Sequence, residues 1–363
     1  MSMARAWVHR RADAPPVLEA LQLEPPRDDE VLVRLVATGV CHTDLIAPRF
    51  ARLPAVFGHE GAGVIEAVGT GVSMLRPGDR VALSFGSCGH CRNCRRDQPF
   101  QCASSTELNF MGQRADGSTP LSDAQGPVRG AFFQQSSFAT HAIATARSAV
   151  RVPDDFPLEL AGPLGCGIQT GVGAVLNTLD VERGESLAVF GAGSVGLSAI
   201  LGGVLRECAP LIAIDLRPER LALARELGAT HVIDARDGDV AERVRALTGG
   251  GVYYSIETTA QLQPFRDAIA CLARGGACGI CAVPDYGIPF EFSPAPILSG
   301  RMLKGVLEGS SDPQRFIPEL MRLHRAGRLP YDRFVSFYDF GELPRALDAA
   351  AAGTAIKPVL RMP

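Results

Sequence analysis

The sequence has little surplus charge of either sign: 36 Lys and Arg stand against 39 Asp and Glu. It also lacks basic clusters interleaved with aromatics, which excludes an electrostatic footprint for nucleic acid or an anionic membrane and leaves small, neutral partners. Apolar runs of membrane-spanning length are missing, and Met1 to Glu19 carries Arg5, Arg10, Arg11 and Asp13 where a signal peptide would have an apolar core. A cytoplasmic location is expected. Internal repeats and low-complexity linkers are absent too. What is present is 363 residues with 46% hydrophobic content, enough for two buried cores, and 10 cysteines. Without a secretion signal these thiols are expected to be reduced, as metal ligands or buried apolar residues.

Taken in order, Ala4 to about Ala82 reads as short β segments between turns: Val31 to Val36, Gly63 to Val68, and Asp79 to Leu83 after the Arg76-Pro77-Gly78-Asp79 turn. A β-rich, partly closed barrel is expected there. Cys88 to Ala144 shows little periodicity, and such a long irregular stretch inside a folded protein calls for a stabiliser such as a metal. After Pro153 the pattern changes. Leu158 to Leu179 reads as helical, and then strands alternate with helices: strand Ser186–Phe190, helix from Leu197, strand Leu211–Asp215, helix Pro218–Leu227, strand His231–Ile233, helix Val240–Leu247, strand Val252–Glu257, helix Pro264–Leu272 and strand Ala277–Val283. That alternation implies a doubly wound parallel sheet. Helices at Pro313–Ala326 and Leu343–Ala351 follow, then Ile356–Leu360, which can return to the first domain as a strand.

Gly191, Gly193 and Gly196 lie between a strand and a helix, where they permit a sharp turn, close backbone approach to a pyrophosphate and close helix packing. Asp215 ends the next strand, placed to accept hydrogen bonds from the adenosine ribose. Its carboxylate repels a 2′-phosphate and so favours NAD, while Arg217 and Arg220 leave room for that phosphate and for NADP. Cys88, Cys91, Cys94 and Cys102 are spaced to close a tetrahedral zinc shell with no vacancy; an iron-sulfur cluster is the alternative. Cys278 and Cys281 lie in an apolar strand without a second pair, and with Cys208 and Cys271 they read as buried packing. Cys41, His59 and Cys166 remain. Two thiolates and an imidazole make a zinc site with one open position, yet by residue chemistry alone the same three are equally an ordinary core set.

Cys41-His42-Thr43-Asp44, Gly58-His59-Glu60-Gly61, the four-cysteine lobe, Gly165-Cys166-Gly167-Ile168-Gln169-Thr170-Gly171 and the Gly191 turn, in that order, resemble the zinc-dependent alcohol dehydrogenases of the medium-chain dehydrogenase/reductase superfamily. The resemblance covers essentially the whole chain. It implies an α/β protein with a GroES-like β-rich catalytic domain (1–167, with a structural-zinc lobe at about 86–104), a Rossmann domain for NAD (168–307), and a return to the catalytic domain (308–363). It also implies a catalytic zinc on Cys41, His59 and Cys166 and a structural zinc on Cys88, Cys91, Cys94 and Cys102. Asp44 then orients His59, Glu60 lies behind the metal and helps ligands exchange on it, and Thr43 takes the substrate proton. His42 and Lys357 match basic positions near the cofactor pyrophosphate, and Arg220 joins the cofactor-binding set.

Many relatives carry a histidine five residues after the first ligand cysteine to relay the proton outward; this chain has Ile46. That residue, with Gly162–Gly171 and Gly130–Thr140, resembles the aryl-alcohol (benzyl alcohol) dehydrogenase branch. Phe110, Phe132 and Phe133 can line an aromatic-accepting pocket or serve as core. The expected reaction is NAD-dependent oxidation of a primary benzylic or allylic alcohol to the aldehyde, in a homodimer or homotetramer. The rival readings are a thiol-adduct formaldehyde dehydrogenase and a non-catalytic dinucleotide-binding protein.

Overall fold

Val31, Val33, Leu35 and Ala37 alternate with more exposed neighbours along Glu30–Gly39, the period-two pattern of a half-buried strand. In a computed structural model, which describes residues 2–282 and 293–363, this strand is the axis of the first of two compact units. That unit comprises Met1–Cys166, Asp312–Gly327 and Tyr331–Pro363. Glu60–Val68 pairs with one edge of the axial strand. The other edge is shared: Glu30–Arg34 pairs with His141–Thr145, while Ala37–Gly39 pairs with Val359–Arg361. Val31, Val33, Leu35, Ile65, Val81, Leu83, Ala142 and Ala144, from these strands and the neighbouring Arg80–Leu83, cluster in the core of this sheet. A second, antiparallel sheet built on Ser2–His9 and Val17–Leu23 encloses another core around Phe57, Phe132 and Phe138. Trp7, the sole tryptophan, is buried there with its Nε1 donating to the Phe340 carbonyl at 2.9 Å. The segment Lys357–Arg361 returns to this unit as a strand.

The second unit, Gly167–Ser311 with Arg328–Pro330, holds a parallel sheet in the order His231–Asp234, Leu211–Asp215, Leu187–Phe190, Val252–Glu257, Leu272–Ile280, Met302–Gly305. Strand order reverses between Leu187–Phe190 and Val252–Glu257, and at that reversal the carboxyl ends of the strands open a crevice. The last strand expected from the pattern begins earlier than Ala277, at Leu272, and Val283 lies outside the described residues. No helix among the described residues is long and apolar enough to cross a membrane.

One expectation needs correcting. Leu158–Leu179 is not a continuous helix but a helical turn, a 3-10 turn over Gly162–Gly165, a short helix Gly167–Gly173 and a π-helical end. The break has a steric cause: a Cβ on Gly162 would sit 2.2 Å from the Glu60 carbonyl, and one on Gly165 would sit 2.1 Å from the Leu83 carbonyl. The backbone is pressed against two strands there, and Cys166 leaves helical geometry with φ −145° and ψ −82°.

Candidate active site

Cys41, His59, Glu60 and Cys166 each place one potential ligand atom within 4.8 Å of the others. Asp44 organises the arrangement from within the short helix His42–Ile46. Its Oδ2 accepts from the Cys41 backbone N–H at 3.0 Å, while its Oδ1 accepts from the Gly58 N–H at 3.1 Å and from His59 Nδ1 at 2.9 Å. One carboxylate therefore fastens both ligand-bearing segments and directs the imidazole. Gly58 is required by the same turn, since its φ is +87° and a Cβ would fall 2.5 Å from the Phe138 nitrogen. With Nδ1 donating to Asp44, His59 Nε2 carries the lone pair, and it is buried without a hydrogen-bond partner among the described residues. An orphaned imidazole nitrogen facing two cysteines fits a metal better than it fits a core.

The charges agree with that. A hydrogen bond with Cys166, aided by His59 and Lys357, holds the Cys41 thiol well below its usual range despite burial. Burial disfavours protonated His59, yet Asp44 and Cys41 outweigh it and draw a proton onto the ring. A divalent cation satisfies the same negative charge. The cluster thus suits zinc: two soft thiolates, one imidazole and a carboxylate that orients it.

The Cys88, Cys91, Cys94 and Cys102 sulfurs also lie within 4.8 Å of one another. Backbone N–H groups point at them: Cys91 at Cys88 Sγ (3.3 Å), Cys94 and Ala103 at Cys91 Sγ (both 3.5 Å), and Cys88 at Cys102 Sγ (3.2 Å). The donations from Ala103 and Cys94 bring the Cys91 thiol down to about 6, whereas burial pushes Cys94 up to about 12. Four sulfurs this close cannot all ionise unless a cation joins them, and a closed thiolate shell suits a structural zinc.

In the second unit the turn from Leu187–Phe190 into helix Ser194–Leu205 carries the three glycines. A Cβ on Gly196 would meet the Gly191 carbonyl at 1.8 Å, so this glycine lets helix and turn touch. Among the described residues, the nearest non-adjacent atom to a Cβ on Gly193 would be Arg220 Nη1 at 4.0 Å, so none of them crowds that face. Asp215 Oδ2 accepts from the Ala192 N–H at 2.6 Å and Oδ1 from the Arg217 N–H at 2.9 Å, leaving lone pairs for a ribose. Arg220 Nη1 stands 3.9 Å from the same carboxylate. Ser194 Oγ, on the first residue of the helix, is buried with no partner among the described residues, beside the helix N-terminus whose backbone N–H groups favour an anion such as a phosphate.

Residues 27–154 match the alcohol dehydrogenase GroES-like domain, and residues 194–325 match the zinc-binding dehydrogenase domain. A geraniol dehydrogenase of Castellaniella defragrans is 47% identical over 98% of this chain and 97% of its own. The chain belongs to the zinc-dependent alcohol dehydrogenases of the medium-chain superfamily. Among solved structures, the benzyl alcohol dehydrogenase of Acinetobacter calcoaceticus superposes with a TM-score of 0.96 at 40% identity, covering 100% of both chains. An alcohol dehydrogenase zinc-binding domain protein from Burkholderia ambifaria gives 0.97 at 47% identity, over 100% of this chain and 99% of the other.

Within this alcohol dehydrogenase His42 is exposed on the short helix and Thr43 is half-buried, its Oγ1 3.9 Å from Cys41 Sγ. Lys357 is placed differently from the expectation. It is fully buried, and its ammonium donates to Glu60 Oε1 (2.7 Å), Glu60 Oε2 (2.8 Å) and the Val40 carbonyl (3.2 Å), so all three N–H groups are committed away from a pyrophosphate. Phe133, which the sequence offered as pocket or core, now has a defined place, and two further residues, Gln135 and Ser194, were missed in the sequence. Phe133 lies flat on the His59 ring, with centroids 4.4 Å apart at 25°, and holds a left-handed φ of 50°. Gln135 donates to the His59 carbonyl at 2.9 Å and accepts from the Gly61 N–H at 3.0 Å, bracing the ligand strand from within the Gly130–Thr140 stretch. Ser194 had a signal, since it stands inside the glycine motif itself.

Proposed function

We propose that this enzyme oxidises a primary aromatic or allylic alcohol to its aldehyde, with NAD as hydride acceptor. The observation that carries this reading is the aromatic wall at the ligand cluster: Phe133 stacks on His59, and Phe110 meets Phe133 edge-on at 5.2 Å. Flat, polarisable faces favour a substrate with a ring or double bond next to its carbinol carbon. The names of two relatives, one a geraniol and the other a benzyl alcohol dehydrogenase, support the same class.

Cys41, His59 and Cys166 would hold the catalytic zinc, and Gly191, Gly193, Ser194, Gly196 and Asp215 the dinucleotide. When bound, zinc supplies Lewis acidity toward the alcohol oxygen, and NAD supplies the hydride acceptor. The chain's own groups do the rest. Asp44 keeps the proton of neutral His59 on Nδ1, so that Nε2 remains a donor of its lone pair. Thr43 Oγ1, beside Cys41, receives the hydroxyl proton. Ile46 has no titratable group and cannot carry that proton onward, which leaves its exit to solvent water. Phe110 and Phe133 exclude water from the reacting carbon. The Asp215 carboxylate favours NAD by repelling a 2′-phosphate.

The test is a survey of kcat/KM with NAD and NADP over benzyl alcohol, geraniol, ethanol and a hydroxymethyl-thiol adduct of formaldehyde. Benzyl alcohol and geraniol with NAD are expected to exceed ethanol by about 100-fold, the scale of a few apolar carbons in a fitted pocket. A profile led by ethanol or by the thiol adduct would sink this reading.

A further inference from the structure

Glu60 and Lys357 begin two different strands, Glu60–Val68 and Lys357–Arg361, which flank the axial strand Glu30–Gly39 on opposite edges. For their side chains to meet, they must cross over that strand. Gly39 makes this possible: it pairs directly with Glu60 in register, and a Cβ there would lie 1.9 Å from Glu60 Oε2. Through this gap the Lys357 ammonium takes both carboxylate oxygens, at 2.7 and 2.8 Å, with both side chains buried.

The Glu60 carboxylate is also one of the four groups whose ligand atoms lie within 4.8 Å of one another. Four protein donors make a closed, structural zinc site, whereas catalysis requires three donors and an exchangeable position. Stability does not account for the pair, because an apolar pair of similar volume generally does as well as a buried ion pair. We propose that Lys357 is a positioning residue that holds Glu60 off the metal and so keeps the fourth position of the Cys41–His59–Cys166 site open. This rests on the reading that those three residues bind zinc. In the absence of the ammonium, Glu60 becomes a tethered competitor for the metal at millimolar effective concentration or more.

The experiment uses full-length protein with cobalt(II) in the catalytic site and imidazole as a probe of the open position, read by the d–d absorption bands. Lys357→Met is expected to retain metal but to need at least ~10-fold more imidazole than wild type, the cost of displacing a tethered carboxylate. The double variant Lys357→Met with Glu60→Gln, which removes both charges, is expected to return to within about twofold of wild type, below the ~1.4 kcal/mol of a tenfold change. Glu60→Gln alone leaves the Lys357 ammonium buried with only an amide partner and is expected to lose stability, but in the folded protein its imidazole response is expected to match wild type. A wild-type imidazole response in Lys357→Met overturns the proposal. So does a folded double variant that stays unresponsive. Tenfold tighter imidazole binding in Glu60→Gln also overturns it, since Glu60 would then already occupy the metal beside an intact Lys357; that arm decides even if Lys357→Met does not fold. Wild-type protein without thiolate-to-cobalt charge-transfer bands at the catalytic site would instead refute the zinc reading itself.

Discussion

Asp44 accepts from two backbone N–H groups and one imidazole, and an amide in its place offers one acceptor oxygen and a donor that faces an N–H. Asp44→Asn is therefore expected to weaken metal binding at the catalytic cluster by about 10- to 100-fold while the four-cysteine lobe keeps its metal. Zinc content during titration with a chelator checks this; simultaneous loss from both sites would contradict it. His9 presents a different case. It is buried against Phe57, its Nδ1 has no partner among the described residues, and burial lowers it from 6.5 to about 4, with Asp44 opposing. Because the folded state resists the proton, the unfolded chain binds more protons between those values, and stability falls as pH drops from 6.5 toward 4. His9→Phe removes that linkage. Urea unfolding at pH 7 and pH 5 should show a smaller loss of stability in the variant than in wild type, and an equal loss would contradict the assignment.

At the scale of elements, legibility followed sequence distance. The glycine turn could be read because its chemistry is local: strand, turn, helix and Asp215 fall within one short stretch, and the lobe cysteines lie within fifteen residues of one another. The Glu60–Lys357 pair could not be read. It joins residues 297 apart and depends on Gly39, in a third strand, having no side chain. The broken helix at Leu158–Leu179 was hidden in the same way, because the atoms that press on Gly162 and Gly165 belong to distant strands. Phe133 could be read as pocket or core, but its stacking on His59 could not, since a bulky residue at φ 50° contradicts local preference and is held by its packing. The turn yields its own test. Gly193→Ala adds a methyl group with open space around it, so stability should change by less than about 0.5 kcal/mol. NADH affinity should nonetheless fall by about tenfold or more, because the methyl group blocks backbone approach to the pyrophosphate. Gly196→Ala, 1.8 Å from the Gly191 carbonyl, should destabilise the apo protein as well. If Gly193→Ala left NADH affinity unchanged, the turn would be structural only.

At the scale of the molecule, the two units divide the chemistry: both cysteine clusters belong to the first, and the glycine turn with Asp215 to the second. Each has its own apolar core. The sole tryptophan, Trp7, is buried in the first unit, which makes its fluorescence a reporter of that unit alone. Removing metal leaves four lobe sulfurs crowded without a cation, and the free energy of metal binding is free energy of folding in such a lobe. Chelation is therefore expected to lower the midpoint of the Trp7 transition by several degrees, roughly the 2–4 °C per kcal/mol expected for a unit of this size. If the glycine turn binds NAD as proposed, NAD acts on the other unit, adding about 2.7 kcal/mol at a hundredfold excess over its dissociation constant. Hydrogen exchange in Leu187–Phe190, Ser194–Leu205 and Leu211–Asp215 should slow with NAD and respond little to the chelator. Should the chelator expose those segments as much as it shifts Trp7, the two units would be one cooperative body, and the metal clusters would govern the stability of the nucleotide fold as well as their own.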